Sequence, residues 1–188
     1  MKGLSLVEVL IAMGIAIVVG ALLLVVIVNS SGLFYKQSSK VEEGLNINDA
    51  LLQIRSSIKD ARSVVSSYSD GSTTYTTGST ELILKIPSID NSNNIINETF
   101  DYYVFFLDQQ KFLFKSFPDI ASFRKAQNQI FSTKVDSLVF EYFNSANPPV
   151  EVIPALAKKV RITLTLKQKS GADFEINIAT SEANLRND

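Results

Sequence analysis

The sequence predicts an α+β fold in which one long N-terminal helix packs on an antiparallel β-sheet. Two observations support this prediction: helix-compatible apolar patterns occupy residues 4–66, and short runs of alternating apolar and polar residues occupy residues 81–180. Helical patterns followed by strand patterns, without regular alternation of the two, are typical of α+β proteins. The length of 188 residues suits one modest globular domain with an accessory segment.

The first segment, residues 4–28, is a continuous apolar run without proline, and its single charged residue is Glu8. A helix of this length reaches roughly 37 Å at about 1.5 Å per residue, enough to cross a hydrocarbon core of about 30 Å. We therefore predict a transmembrane helix over residues 4–28, followed by polar residues at 29–32. Lys2 on the cytoplasmic side favours a single-pass orientation, with the rest of the chain outside the cytoplasm.

Glu8 distinguishes between the possible interpretations of this run. An ordinary secretory signal has a shorter apolar region, of about 7 to 15 residues, with small residues at the cleavage site behind it. A simple membrane anchor fits the length but leaves the carboxylate unexplained. Because an acidic residue at membrane depth costs about 3 kcal/mol, it normally marks a function or a specific partner.

The segment from Gly3 to Glu8, Gly-Leu-Ser-Leu-Val-Glu, supports a third interpretation. It resembles the type III signal of type IV prepilins and pseudopilins, with glutamate as the fifth residue of the mature chain. The resemblance implies that prepilin peptidase cuts between Gly3 and Leu4, removing the leader peptide 1–3, and that the new amino group of Leu4 is N-methylated. Glu8 is then the assembly residue. Its carboxylate would pair with the amino terminus of a neighbouring subunit, since neither charge is stable alone in lipid.

Residues 29–66 are predicted to form the amphipathic half of the same helix. Apolar residues recur there at steps of three and four and form one stripe: Leu51, Ile54, Ile58, Ala61 and Val65. Charged residues such as Lys59 and Asp60 lie on the other faces. We expect the stripe to pack on the sheet, because a helix lying on a membrane surface has a more strongly basic polar face.

Residues 67–188 are predicted to form the sheet part of the globular pilin-like domain. We expect a loop at 68–80, a short helix at 119–129, and strands at 81–86, 99–107, 111–117, 135–143, 158–169 and 173–180. Alternation is clear at Val160, Ile162, Leu164 and Leu166, and Phe174, Ile176 and Ile178 repeat the pattern. Hairpin connections at 109–110 and 170–172 make the sheet largely antiparallel.

This order of elements matches the pilin fold implied by the N-terminus. The absence of a mid-helix proline, which major pilins often carry, favours a minor pilin or pseudopilin. Further segments, at 58–64, 160–164 and 185–187, are similar to J-type minor pseudopilins and W-type minor pilins. The resemblance implies a filament subunit of a type IV pilus, a type II secretion system or a competence system. Its site would be the bacterial cytoplasmic membrane, with the globular domain periplasmic or extracellular. Its partners would be other pilin or pseudopilin subunits, prepilin peptidase and the inner-membrane assembly platform.

Composition argues against several other classes of function. The chain has no histidine and no cysteine, which removes the commonest general base, thiolate nucleophiles and thiolate zinc sites. Its 18 basic and 19 acidic residues are nearly balanced, and a nucleic-acid partner would need clustered Lys and Arg. Gly71 and Gly78 lack the Gly-Lys-Ser or Gly-Lys-Thr ending of a phosphate loop. We expect no catalytic residues, no cofactor and no enzymatic activity.

Two weaker features remain. The first is a calcium candidate made of oxygen-bearing side chains, followed by Glu98 and Asp101: Asp90, Asn91, Asn93 and Asn94. It lacks the turn glycine of a calcium loop, and such stretches are more often solvated turns. The second is a group of aromatic residues for which we expect core packing and subunit contact, not a binding face: Phe105, Phe106, Phe112, Phe114 and Phe117. The alternative function is a standalone, single-pass envelope protein whose β-rich domain binds a ligand.

Overall fold

The computed structural model of the protein describes residues 6–170 and 173–186, with side chains described outside 31–46 and 168–175. The chain has an α+β fold, with an N-terminal helix followed by antiparallel sheets. It divides into two compact units, Met1–Glu43 and Gly44–Asp188. Among the described residues, the first unit contains only helix and every strand belongs to the second.

Helix α1 runs from Leu6 to Asp60 and continues through the polar residues 29–32. The predicted apolar stripe is confirmed over its last turns, where Ile54 and Ile58 are completely buried. The predicted end at residue 66 is wrong, since the helix stops at Asp60. The backbone N–H groups of Arg62 and Val65 donate to strand carbonyls at 2.9 and 3.1 Å, so this stretch joins the sheet instead of extending the helix.

Ten strands follow the helix within the described residues: β1 (Ser63–Val64), β2 (Ser67–Ser69), β3 (Thr74–Thr76), β4 (Glu81–Ile89), β5 (Ile95–Asp108), β6 (Lys111–Phe117), β7 (Gln127–Ser132), β8 (Val135–Phe143), β9 (Lys159–Ser170) and β10 (Asp173–Asn184). A short 3₁₀ helix, Pro154–Leu156, precedes β9. The strands form a five-stranded sheet in the order β1-β4-β5-β6-β7, a three-stranded sheet in the order β10-β9-β8, and the ribbon β2-β3. All their pairings are antiparallel, as the sequence predicts.

Two segments differ from their predictions. The helix predicted at 119–129 is wrong: turns occupy its first part and β7 begins at Gln127. The backbone N–H of Asp119 donates to a side chain of β5 and that of Gln127 to Ser116 of β6, which draws the segment onto the sheet. The loop predicted at 68–80 contains the ribbon β2-β3, which pairs Tyr68 with Tyr75.

The main core lies within the Gly44–Asp188 unit, between the last turns of α1 and the inner faces of the two larger sheets. Phe105, Phe112 and Phe114 are buried in it. A second, smaller cluster covers the outer face of the five-stranded sheet, where the Tyr75 ring of the ribbon contacts Phe106 and Phe117 at 5.7 and 5.6 Å between centroids. Core packing is confirmed for Phe105, Phe112 and Phe114, whereas Phe106 and Phe117 are half-buried against the second cluster.

Candidate functional site

The most unusual surface of the protein is the apolar part of α1 in the Met1–Glu43 unit. From Leu6 to Ser30, over 25 residues, none of the helix is buried. A soluble domain rarely leaves a continuous apolar surface of this size in water, because each exposed CH₂ group costs about 0.8 kcal/mol relative to burial. The helix is long and apolar enough to cross a membrane.

Glu8 lies in the first turn of this helix and is exposed. A carboxylate in the first turn interacts favourably with the helix dipole, which partly offsets its low stability in an apolar environment. Its neighbours one turn along the helix, Ile11 and Ala12, are apolar. The predicted cleavage and methylation positions, Gly3 and Leu4, lie outside the described residues.

A second site, which the sequence analysis did not assign, is built around the carboxylate of Asp101 on β5. Its side chain is completely buried and forms an ion pair with Arg124, whose Nη1 lies 2.7 Å from Oδ2. The carboxylate also accepts hydrogen bonds from three other groups: the Ser88 hydroxyl at 2.7 Å, the Ser122 hydroxyl at 2.9 Å and the Asp119 backbone N–H at 3.0 Å. We call these residues the Asp101 cluster.

Two opposing effects act on the pKa of Asp101. Burial raises the pKa of its carboxyl, but the hydrogen bonds from Arg124, Ser88, Asp119 and Ser122 outweigh burial and hold that pKa below its usual value. The cluster therefore holds a charged carboxylate that fastens the 118–126 loop to the sheet. A sequence signal existed, because Asp101 has the same strand parity as Tyr103 and Phe105 and so occupies an inward-facing position.

The calcium candidates form the tight turn between β4 and β5. Asp90 and Asn94 are brought together: Asp90 Oδ1 accepts the backbone N–H groups of Ser92 and Asn94 at 2.8 and 2.9 Å. These hydrogen bonds lower the pKa of the Asp90 carboxyl, with the Asn94 N–H as the main cause. Asp101, the most distant of the candidate ligands, is bound by Arg124 instead. Among the described side chains, which leave out 31–46 and 168–175, no group of three acidic residues is arranged to hold a metal ion.

One open pocket of the Gly44–Asp188 unit is basic. It has a volume of about 490 Å³ and is lined by Arg62, Ser63, Lys85, Glu98, Phe100, Lys158 and Arg186. Lys85 Nζ lies 3.9 Å from the centroid of the Phe100 ring, and Arg62 Cζ lies 5.7 Å from it. Cations held over an aromatic ring beside further cations create a local positive potential that suits an anionic group.

Comparison with known proteins finds no family model that matches this chain and no matching sequence among curated proteins.

Proposed function

We propose that this protein is a minor pilin or pseudopilin, a structural subunit that enters a helical filament at the bacterial cytoplasmic membrane through its N-terminal helix. In this proposal prepilin peptidase cleaves the chain after Gly3, the amino group of Leu4 is methylated, and the Gly44–Asp188 unit is displayed outside the cytoplasm. The filament belongs to a type IV pilus, a type II secretion system or a competence system.

The observation that carries the proposal is the wholly exposed apolar helix from Leu6 to Ser30 with one carboxylate near its start. Insertion into lipid accounts for the apolar surface, and later contact with like helices in a filament core accounts for it equally well. An acidic residue at membrane depth is costly and is normally paired with a cation. The methylated amino terminus of a neighbouring subunit is the cation that the prepilin-like signal would supply.

The compact second unit suits this role. Its core is closed by its own helix turns and sheets, so the apolar part of α1 contributes no described residue to that core. A subunit of this kind can change the surroundings of its N-terminal segment, from lipid to filament, while its globular unit keeps its packing.

A second candidate function, a standalone anchored envelope protein, is favoured by the basic pocket around Phe100. In that case the helix is only an anchor and the pocket binds an anionic ligand. The two functions differ in what they require of Glu8, because a simple anchor has no need of a carboxylate.

Replacing Glu8 by alanine tests the proposal. The variant should still insert, because removing a charge from an apolar segment eases insertion, and it should still be cleaved. Its recruitment by neighbouring pilin-like subunits should fall about a hundredfold or more, since breaking a buried ion pair costs about 3–5 kcal/mol. The measurement is co-purification or cross-linking at matched membrane levels, with Asp49→Ala, an exposed position on α1, as the control.

The filament role would be contradicted if the processed Glu8→Ala variant captured partner subunits as well as the wild type does. The anchored-protein function would then replace it.

A further inference from the structure

Strand β10 forms an outer edge of the three-stranded sheet. It contains 12 residues, and within the described residues it pairs with β9 alone. The other outer strands of the two larger sheets are shorter: β1 has two residues, β7 six and β8 nine. An edge strand presents a row of N–H and C=O groups that can pair with another strand. The edge of β10 is the longest such row.

The register of β10 turns its isoleucines away from the core. Ile176 pairs with Lys167 and Ile178 with Thr165, whereas the core residues Leu164 and Leu166 pair with Ala179 and Asn177. Ile176 and Ile178 are therefore 60% and 67% exposed. In a half-buried strand the alternating apolar residues usually face the core. In β10 these two apolar side chains lie on the solvent face instead.

The middle of this edge has none of the features that usually prevent pairing, because the charged residues of β10, Asp173, Glu175 and Glu182, lie outside it. Residues 176–181, Ile-Asn-Ile-Ala-Thr-Ser, contain no charge and no proline. On the opposite edge of the same sheet, β8 carries Asp136 and Glu141. Charged side chains and prolines protect edge strands, and short uncharged segments with strong strand preference are the ones that associate.

We propose that β10 is a self-association surface, through which two copies of this chain pair antiparallel around a two-fold axis at Asn177. In this register Ile176 of each copy lies opposite Ile178 of the other, so that four isoleucines form one apolar patch on the joined sheet. The same residues serve both sides of the contact, as a two-fold interface requires. A second copy is the occupant because this strand is complementary to itself: each apolar side chain meets another.

The pairing gains stability from two sources. Backbone hydrogen bonds extend the sheet across the axis, as in other cases of strand addition. Cross-strand pairs of β-branched side chains then bury part of the isoleucine surface that is exposed in a single copy. The contact uses no residue of the apolar helix, so it does not depend on Glu8 or on the proposed filament role.

Single cysteines introduced on β10 test the contact cleanly, because the chain contains no cysteine. With the full chain in detergent micelles, Asn177→Cys should give a covalent dimer with a short thiol-specific cross-linker, since residues directly opposite lie about 5 Å apart. Asn184→Cys is the control on the same strand. In the proposed register its two copies are about 45 Å apart, at about 3.3 Å per residue, and should not cross-link.

Charge exchange tests the register itself. Ile176→Lys alone and Ile178→Glu alone should each lower the dimer association constant about tenfold or more, because each buries a charge opposite an isoleucine. The two substitutions combined should restore association, since each new lysine then faces the new glutamate of the other copy. Both positions are exposed, so circular dichroism should show an unchanged fold.

The proposal is overturned if Asn177→Cys cross-links no better than Asn184→Cys, or if the combined variant associates no better than the single ones. A strand from a different protein as the true occupant of this edge would give the first of these results.

Discussion

Replacing Asp101 by alanine is expected to destabilise the globular unit by about 3 kcal/mol. The substitution removes a completely buried acceptor of four groups: Arg124 Nη1, the hydroxyls of Ser88 and Ser122, and the N–H of Asp119. Breaking a buried ion pair costs about 3–5 kcal/mol, and a stranded buried hydroxyl adds about 1 kcal/mol. Arg124 retains part of its stabilisation, because its side chain is 23% exposed and it still donates to the Pro87 carbonyl at 2.6 Å. The lower end of the range therefore applies.

The assay is urea unfolding of a fragment that begins at Leu33, with far-ultraviolet circular dichroism as the signal. At a slope of about 2 kcal/mol per molar urea, the midpoint should fall by about 1.5 M without a change of slope. Asp108→Ala, at the exposed end of the same strand, is the matched control and should change stability by less than about 0.5 kcal/mol. Combining Asp101→Ala with Arg124→Ala should cost less than the sum of the two single changes, because no charge is left stranded. A loss below about 1 kcal/mol for Asp101→Ala, or strict additivity with Arg124→Ala, would refute this account of the cluster.

Three further predictions concern the charge of Asp101, the prepilin-like signal and the state of the globular unit by itself. Because the pKa of Asp101 is lowered in the folded state, its stabilisation is fully present above the ordinary Asp value of about 3.9 and is lost as the pH falls below it. The stability difference between the wild type and Asp101→Asn should therefore shrink in urea titrations below about pH 4, and a constant difference would contradict the charge assignment. Intact-mass analysis of the membrane-extracted protein should show Leu4 as the first residue, methylated, whereas a mature chain that keeps Met1 and Lys2 would argue against the prepilin signal. The fragment that begins at Leu33 should be soluble and contain only monomers and β10-paired dimers by light scattering. Larger assemblies would mean that the globular unit, not the apolar helix, drives polymerisation.

Local sequence patterns were sufficient to predict a helix or strand wherever one side of it is buried and its apolar residues recur at a regular period. The stripe of α1 that includes Ile54 and Ile58 is read directly from steps of three and four, because a helix turns once in 3.6 residues. The antiparallel strands follow from period-two alternation and short turns, and the apolar run around Glu8 follows from composition and length alone. These features depend on residues that are close together in the chain, so the sequence alone is enough to predict them.

The conformation of the segment 119–129 and the partners of Asp101 could not be predicted in this way, although strand parity indicates that Asp101 faces inward. The partners of Asp101 stand 13 to 23 positions away in the chain, so their contact exists only once β4, β5 and the 118–126 loop are in place. That contact also determines the conformation of the loop. The hydrogen bonds that the loop's N–H and hydroxyl groups donate to the buried carboxylate outweigh a local preference for helix.

Strand β10 shows the same division most clearly. The alternation at Ile176 and Ile178 predicts a strand, but it does not indicate which face of that strand packs on the core. Its pairing with β9 decides that, because a shift of one residue in register exchanges the two faces of a strand. Leu164 and Leu166 of β9 face the core, and the register opposite them puts the partly buried Ala179 on the core side and both isoleucines on the solvent side. The side of a sheet on which a residue lies is therefore a property of the paired strands, and it exists only in the folded chain.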